Sequence, residues 1–387
     1  MAMKRRDIAI AGYYETRLER RSGRSVYDLA GEAASGALAH AGVEKREVDG
    51  VAVNASLTAA GEPFWSNRIC DALGLTPRWL QTTDIGGASA IGGIARAAAM
   101  IRDGWCTTVL VLGADAPSTS FGARYGSYRP EFEQPYGVQG PPGLFGFLQR
   151  RYAAQYPLKP EALAKIATVQ REHALLNPNA IFKQAMTLDD YMGSRMISDP
   201  LRLLDSVMFC DGGLAVVVTS AERARALGGP PVYPVAYAEV TNFNGDDPAP
   251  DVTESGFSVV GPAALTQAGL AAQDIQQFHP YDDFTIAVLM QMEQIGFCRR
   301  GEGSDFVLGT DLSWKGTLPL NTGGGQLSAG QPGLASGMLN LIEAVRQLRG
   351  EAGARQIANP RNAMVTGIGI VPYIRNWGSS NVMILEA

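Results

Sequence analysis

The 387-residue chain is 46% apolar and 18% charged, and its 33 Lys and Arg against 38 Asp and Glu leave a net charge of −5. That balance excludes wholesale disorder and removes the electrostatic argument for a nucleic acid or an anionic membrane as partner. Four cysteines without C-x-x-C spacing and three scattered histidines point to no metal centre, and each cysteine reads as a small buried hydrophobe.

In chain order, a basic triplet, Lys4-Arg5-Arg6, precedes Ile8-Ala-Ile-Ala11, which is too short for a signal-peptide core. No later apolar stretch approaches the roughly 18 to 20 residues of a spanning helix, so the expectation is a cytoplasmic protein with no membrane span. Small residues over Ala34–Val43 predict a helix ended by an Ala-Gly pair, then a short acidic connection and a strand at Val48–Val51. Gly86-Gly-Ala-Ser-Ala-Ile-Gly-Gly93 predicts a turn opening a helix through Arg102, followed by an apolar strand at Thr108–Gly113.

Residues Pro117–Asp205 are rich in Tyr, Pro and Gly, with a helical stretch at Leu163–Leu176 and aromatic residues over Tyr125–Tyr136; they read as an inserted lid. Leu214-Ala-Val-Val-Val-Thr219 is a continuous apolar run, as in a sheet covered by helices on both faces. The order then repeats. Ala264–Leu270 running to Ile275–Phe278 echoes the first helix and strand, and Gly323–Gly337, its helix through Arg349 and the strand Ala363–Ile370 echo the second. The predicted fold is therefore α/β and duplicated, with halves 1–225 and 226–387 and a lid at about 117–205 in the first half.

Two further segments carry candidate chemistry. In His279-Pro-Tyr-Asp-Asp-Phe-Thr285 an extended backbone puts Tyr281 and Asp283 on one face and Asp282 on the other. The structural alternative is a turn tyrosine with Asp282 capping a helix over Phe284–Gln294. In Asn321-Thr-Gly-Gly-Gly-Gln-Leu-Ser-Ala-Gly-Gln-Pro-Gly-Leu-Ala-Ser-Gly337, glycines bend the backbone ahead of a helix, and Gln331-Pro332 stands in the bend.

Together with Asp211–Ser220, Gln294–Cys298 and Gln347–Arg355, these segments resemble the thiolase superfamily over nearly the whole chain, and its sterol-carrier-type, lipid-transfer-protein-like branch in particular. The resemblance implies a layered α-β-α-β-α thiolase-like fold, a homodimer, no permanently bound cofactor, and coenzyme A as part of the substrate. It also exposes departures. Ser89-Ala-Ile-Gly-Gly-Ile-Ala95 fits the C-x-x-G-x-x-A frame with serine at the nucleophile position, and Gln331 stands where the family's histidine precedes Pro332. A serine hydroxyl needs an adjacent base to attack, so Ser89 is a nucleophile, a cap or a substrate contact.

The Tyr-Asp-x-Phe segment resembles that of the Cys-independent thiolase-fold aldolases, which cleave steroid side-chain CoA thioesters with a small OB-fold partner. Three functions follow: retro-aldol cleavage of a β-hydroxyacyl-CoA, thiolase-type acyl transfer, or acyl-CoA binding by a degenerate subunit. For the first, Asp283 is the candidate base and Tyr281 the acid or positioning donor, with Ser89, Gln331, Gly367 and Gly369 as oxyanion or substrate contacts around one shared cavity.

Overall fold

The computed structural model describes residues 6–121, 130–138, 140–369 and 376–387, so part of the Tyr125–Tyr136 segment expected in the lid lies outside the described residues. Two large sheets contain strands β1 (Ile8–Glu15), β2 (Gly50–Asn54), β3 (Trp79–Thr83), β4 (Thr108–Asp115), β5 (Gly212–Ser220), β6 (Tyr233–Thr241), β7 (Phe278–His279), β8 (Asn362–Ile368) and β9 (Ser379–Glu386). The first sheet has the order β1-β5-β4-β2-β3 and the second β6-β9-β8-β7.

The pairing signs match step for step. In the first sheet β1–β5 and β5–β4 are antiparallel and β4–β2 is parallel; in the second, β6–β9 and β9–β8 are antiparallel and β8–β7 is parallel. A parallel bridge between Phe278 and Leu320 stands where the first sheet carries its fifth strand.

The helices that layer these sheets are α1 (Val26–Ala41), α2 (Ser89–Arg102), α3 (Gly140–Gln155), α4 (Pro160–Leu176), α5 (Phe257–Ala268), α6 (Thr285–Ile295) and α7 (Gly337–Leu348). Helices α2 and α7 pack on each other and on strands of both sheets, whereas α1 covers the outer face of the first sheet and α5 that of the second. The duplicated α-β-α-β-α arrangement explains the continuous apolar strands. With helices on both sides, every residue of β4 is buried, and a fully buried Val or Leu contributes about 1.5–3 kcal/mol.

Local signals set the helix ends. Ser25 and Asp28 form a reciprocal capping box at the start of α1, and the two Ala-Gly pairs end α1 and α5 at Gly42 and Gly269 in the left-handed conformation. Helices α3 and α4 lie in the segment between β4 and β5. Helix α4 packs against the glycine-rich turn ahead of α7, so this segment roofs the turn that belongs to the second half.

Candidate functional site

The turn Gly86–Ala88 leads into α2, and the end of β8 closes against it. A side chain at Gly367 would meet the Ala88 Cα at 2.6 Å, and one at Gly87 would lie 2.1 Å from the Tyr281 ring, so bare backbone is what admits both neighbours. The structure thus brings Ser89, Tyr281 and the Gly367–Gly369 strand end together, from positions up to 280 residues apart (369 − 89).

Tyr281 is fixed at three points. Its amide donates to Thr366 Oγ1 at 2.9 Å, its carbonyl accepts from Gln291 Nε2 at 2.8 Å, and its hydroxyl lies 3.0 Å from Ser336 Oγ at the N-terminus of α7. Ser336 is fully buried and was not a candidate from sequence. The only available signal was its place just ahead of a helix, where serine ordinarily reads as a cap; here it makes no side-chain cap bond.

Asp282 does not cap α6, correcting the structural alternative. The N-cap of α6 is Phe284, and the Asp282 carboxylate turns inward to accept from the Gln326 and Leu327 amides at 3.0 and 3.1 Å and from Asn340 Nδ2 at 3.0 Å. It ties down the Gly325–Ala329 turn, whose amides α4 and α7 would otherwise enclose without partners. Burial pushes its carboxyl up to about 6 against those hydrogen bonds.

Asp283 differs. It is partly exposed as a residue, yet Oδ1 is sealed from solvent and has no hydrogen-bond partner among the described residues. Burial, and then the Asp282 charge beside it, push its carboxyl up to about 8.

Gln331 reaches the site through an extended strap, Ser206–Cys210. Ser206 bridges to Phe284, the Val207 amide donates to the Asp283 carbonyl at 3.2 Å, and Met208 and Cys210 exchange backbone hydrogen bonds of 3.0 Å with Gln331. Gln331 Oε1 is buried and unpartnered among the described residues. The strap joins Asp283 to Gln331, and nothing in its sequence announced that.

Two oxyanion expectations change. The Ser89 amide donates to the Gly86 carbonyl and the Gly369 amide to the Ser379 carbonyl at 2.8 Å, so neither N–H is free, because the tight turn and the β8–β9 ladder have claimed them. The Ser89 hydroxyl accepts from the Ile85 amide at 3.0 Å, closing the same turn.

A cavity of about 930 Å³ lies under the lid, beside the strap. Its wall includes Val207, Met208, Phe209, Leu327 and Ser328, but not Ser89, Tyr281, Asp283 or Gln331. This cavity is therefore not the one expected to join Ser89, Tyr281, Gln331 and the Gly367–Gly369 strand end. The Tyr281 ring occupies the space over Gly87, and the open volume begins at the strap that binds Asp283 and Gln331.

Comparison with known proteins agrees with this architecture. The model of the thiolase N-terminal domain matches residues 8–221, and that of the thiolase C-terminal domain-like unit matches residues 239–386. The chain is 34% identical to the steroid side-chain-cleaving aldolase of Thermomonospora curvata over 94% of this chain and 95% of that one. It is 32% identical to the acetyl-CoA acetyltransferase of Methanothermobacter thermautotrophicus over 94% and 96% of the two chains. Among solved structures, the Ltp2–ChsH2(DUF35) aldolase superposes with a TM-score of 0.86 at 32% identity, covering 98% of each chain.

Proposed function

This chain belongs to the thiolase superfamily, in its sterol-carrier-type aldolase branch, and we propose that it cleaves a β-hydroxyacyl-CoA by a retro-aldol reaction that uses no cysteine. The observation that carries the reading is Asp283: a carboxyl with an unpartnered oxygen, buried beside a second carboxylate and two residues from a fixed tyrosine. A structural carboxylate spends both oxygens on donors, as Asp282 does; one that keeps an oxygen unpartnered among the described residues and has a raised proton affinity suits proton transfer.

In this reading ionised Asp283 takes the proton of the β-hydroxyl. The new C=O forms, the Cα–Cβ bond breaks, and its electron pair passes into the thioester as an enolate. Tyr281, oriented by Ser336, donates to the enolate oxygen, with the Gln331 amide as a second donor. Return of that proton from Asp283 to Cα completes the balance and regenerates the carboxylate, releasing a ketone or aldehyde and a shortened acyl-CoA. Each donor aimed at the enolate contributes about 3 kcal/mol.

Coenzyme A enters as part of the substrate. The exposed arginines at the cavity mouth, Arg20, Arg21 and Arg195, suit its phosphates. The reading also takes the protein as a cytoplasmic homodimer, organised as halves 1–225 and 226–387, with a small OB-fold protein as partner; the ChsH2(DUF35) component of the similar aldolase supports a second protein in that role.

Acyl transfer through Ser89 is less favoured, because its hydroxyl is held by the Ile85 amide and no histidine stands at Gln331 to activate it. Incubation with a panel of β-hydroxyacyl-CoAs, with and without the small partner, tests the proposal. Carbonyl release should fall about 10²–10⁴-fold in Asp283→Asn and in Tyr281→Phe. Release unaffected by both substitutions, or an acyl adduct on Ser89 in the mass spectrum, refutes it.

A further inference from the structure

The cavity under the lid has a division of charge that the proposed reaction does not use. Its walls are largely apolar, including Phe182, Met186, Leu204 and Phe209, and no acidic residue lines it among the described residues. Of its four arginines, Arg20, Arg21 and Arg195 are exposed, while Arg171 on α4 is only 7% exposed.

Arg171 is held rigidly. Nε donates to Ser328 Oγ at 3.1 Å, Nη1 donates to the Gln184 carbonyl at 3.3 Å, and the guanidinium lies 4.2 Å from the centroid of the Phe182 ring. No carboxylate pairs with it among the described residues. Among the described residues, the other buried arginine, Arg355, binds the Glu343 carboxylate, and the part-buried Arg346 and Arg349 pair with Glu343 and Glu351. Burying an arginine without a counter-ion is unfavourable, and a ligand that supplies the missing charge relieves it. Desolvation alone lowers its proton affinity, with no acid opposing the fall.

Burial separates Arg171 from the other three. The hydrated phosphates of coenzyme A suit the three exposed arginines, whereas Arg171 is bonded to Ser328, three residues before Gln331, in a wall shared with Leu327 and the strap residues Val207–Phe209. A ligand with its phosphates on the exposed arginines leaves the buried one for its acyl half.

We propose that Arg171 recognises a carboxylate on the acyl half of the substrate, so that the chain acts on thioesters whose acyl group carries a second, free acid. This rests on the acyl-CoA reading given above and narrows it to a substrate class. The guanidinium is preset for a carboxylate oxygen through Nη2, which has no partner among the described residues, with the Ser328 hydroxyl beside it.

The test is calorimetric titration of the full chain with three matched pairs: butyryl- and succinyl-CoA, hexanoyl- and adipoyl-CoA, octanoyl- and suberoyl-CoA. At least one carboxylated member should bind about tenfold or more tightly than its neutral partner. In Arg171→Gln that preference should vanish while the neutral partner binds as before, and Arg171→Lys should restore part of it. A merely structural role for Arg171 does not alter the ratio within a pair.

Three results overturn the proposal. The wild-type chain has no preference in any pair, a result that stands even if Arg171→Gln fails to fold. Arg171→Gln weakens both members of a pair equally, which assigns the arginine to coenzyme A itself. No CoA thioester binds at all, which removes the acyl-CoA reading as well.

Discussion

The two glycine-rich turns are counterparts in the duplicated fold, each opening a central helix, yet they are built differently. The first, Gly86–Ala88, is tight and closes on itself through the Ser89 amide and hydroxyl. The second is expanded: Gly325–Ala329 forms a wide turn, Gly330 takes φ +123°, Gln331 runs extended along the strap, and a further short turn leads to Ser336. Two buried carboxylates hold this longer excursion. Asp282 takes the Gln326 and Leu327 amides, and Asp115 takes the Leu334 amide together with those of Leu57 and Thr58 in the first half. Duplication supplied the scaffold, and the asymmetry between the turns supplied room for polar side chains at their meeting point. A turn satisfied by its own backbone needs no outside acceptor; a wide one does.

The comparison can be broken at several places. Asp115→Ala strips acceptors from amides in both halves, and the expected loss is roughly 4 kcal/mol of unfolding free energy in a denaturant titration, since each stranded donor costs about 1–3 kcal/mol. A loss under about 1 kcal/mol would mean that the second turn does not depend on its clamp. Gly87→Ala should push the Tyr281 ring off Ser336 and lower kcat/KM about 10²-fold with little change in the acyl-CoA Kd. Unchanged turnover there would separate the first turn from the chemistry.

The pH dependence tests Asp283 directly. As a base it must be ionised, so kcat should rise with pH, about tenfold per unit, and level off above about 8. Stability should show the opposite sign. Both Asp282 and Asp283 sit above the ordinary carboxylate range in the folded chain, so the native state holds their protons more tightly than the unfolded chain does. The contribution of this pair is full below the ordinary value near 3.8 and is lost as pH rises to about 8, and Asp283→Asn should remove the upper part of that loss from the difference in thermal melts between variant and wild type. The smallest effect belongs to Ser89→Ala, which removes one local bond to the Ile85 amide; it should cost about 1 kcal/mol and leave retro-aldol turnover within a few fold. Complete loss of turnover in that variant would instead favour Ser89 as a nucleophile.

Much of this molecule was legible in its amino acids, because the signals involved are local or repeated. The Ala-Gly helix ends, the unbroken apolar strands and the doubled order of helix, strand and glycine turn prescribe the layers, since period and capping act within a few residues. The same doubled order put Ser89 and Gln331 in glycine-rich stretches ahead of the two central helices, and the structure packs Gly86–Ala88 against Gly333–Ala335. What the tertiary structure alone decided is how those residues are partnered. Ser336 reaches Tyr281 across 55 positions, the Ser206–Cys210 strap links Asp283 to Gln331, Asp282 faces the turn rather than its own helix, and the Ser89 and Gly369 amides are already satisfied. Arg171 belongs with these. Its spacing suits an ordinary helix, and only packing shows that it is buried without an acid among the described residues. Whether a polar group is satisfied depends on what distant segments bring to it, and a one-dimensional pattern contains no record of that.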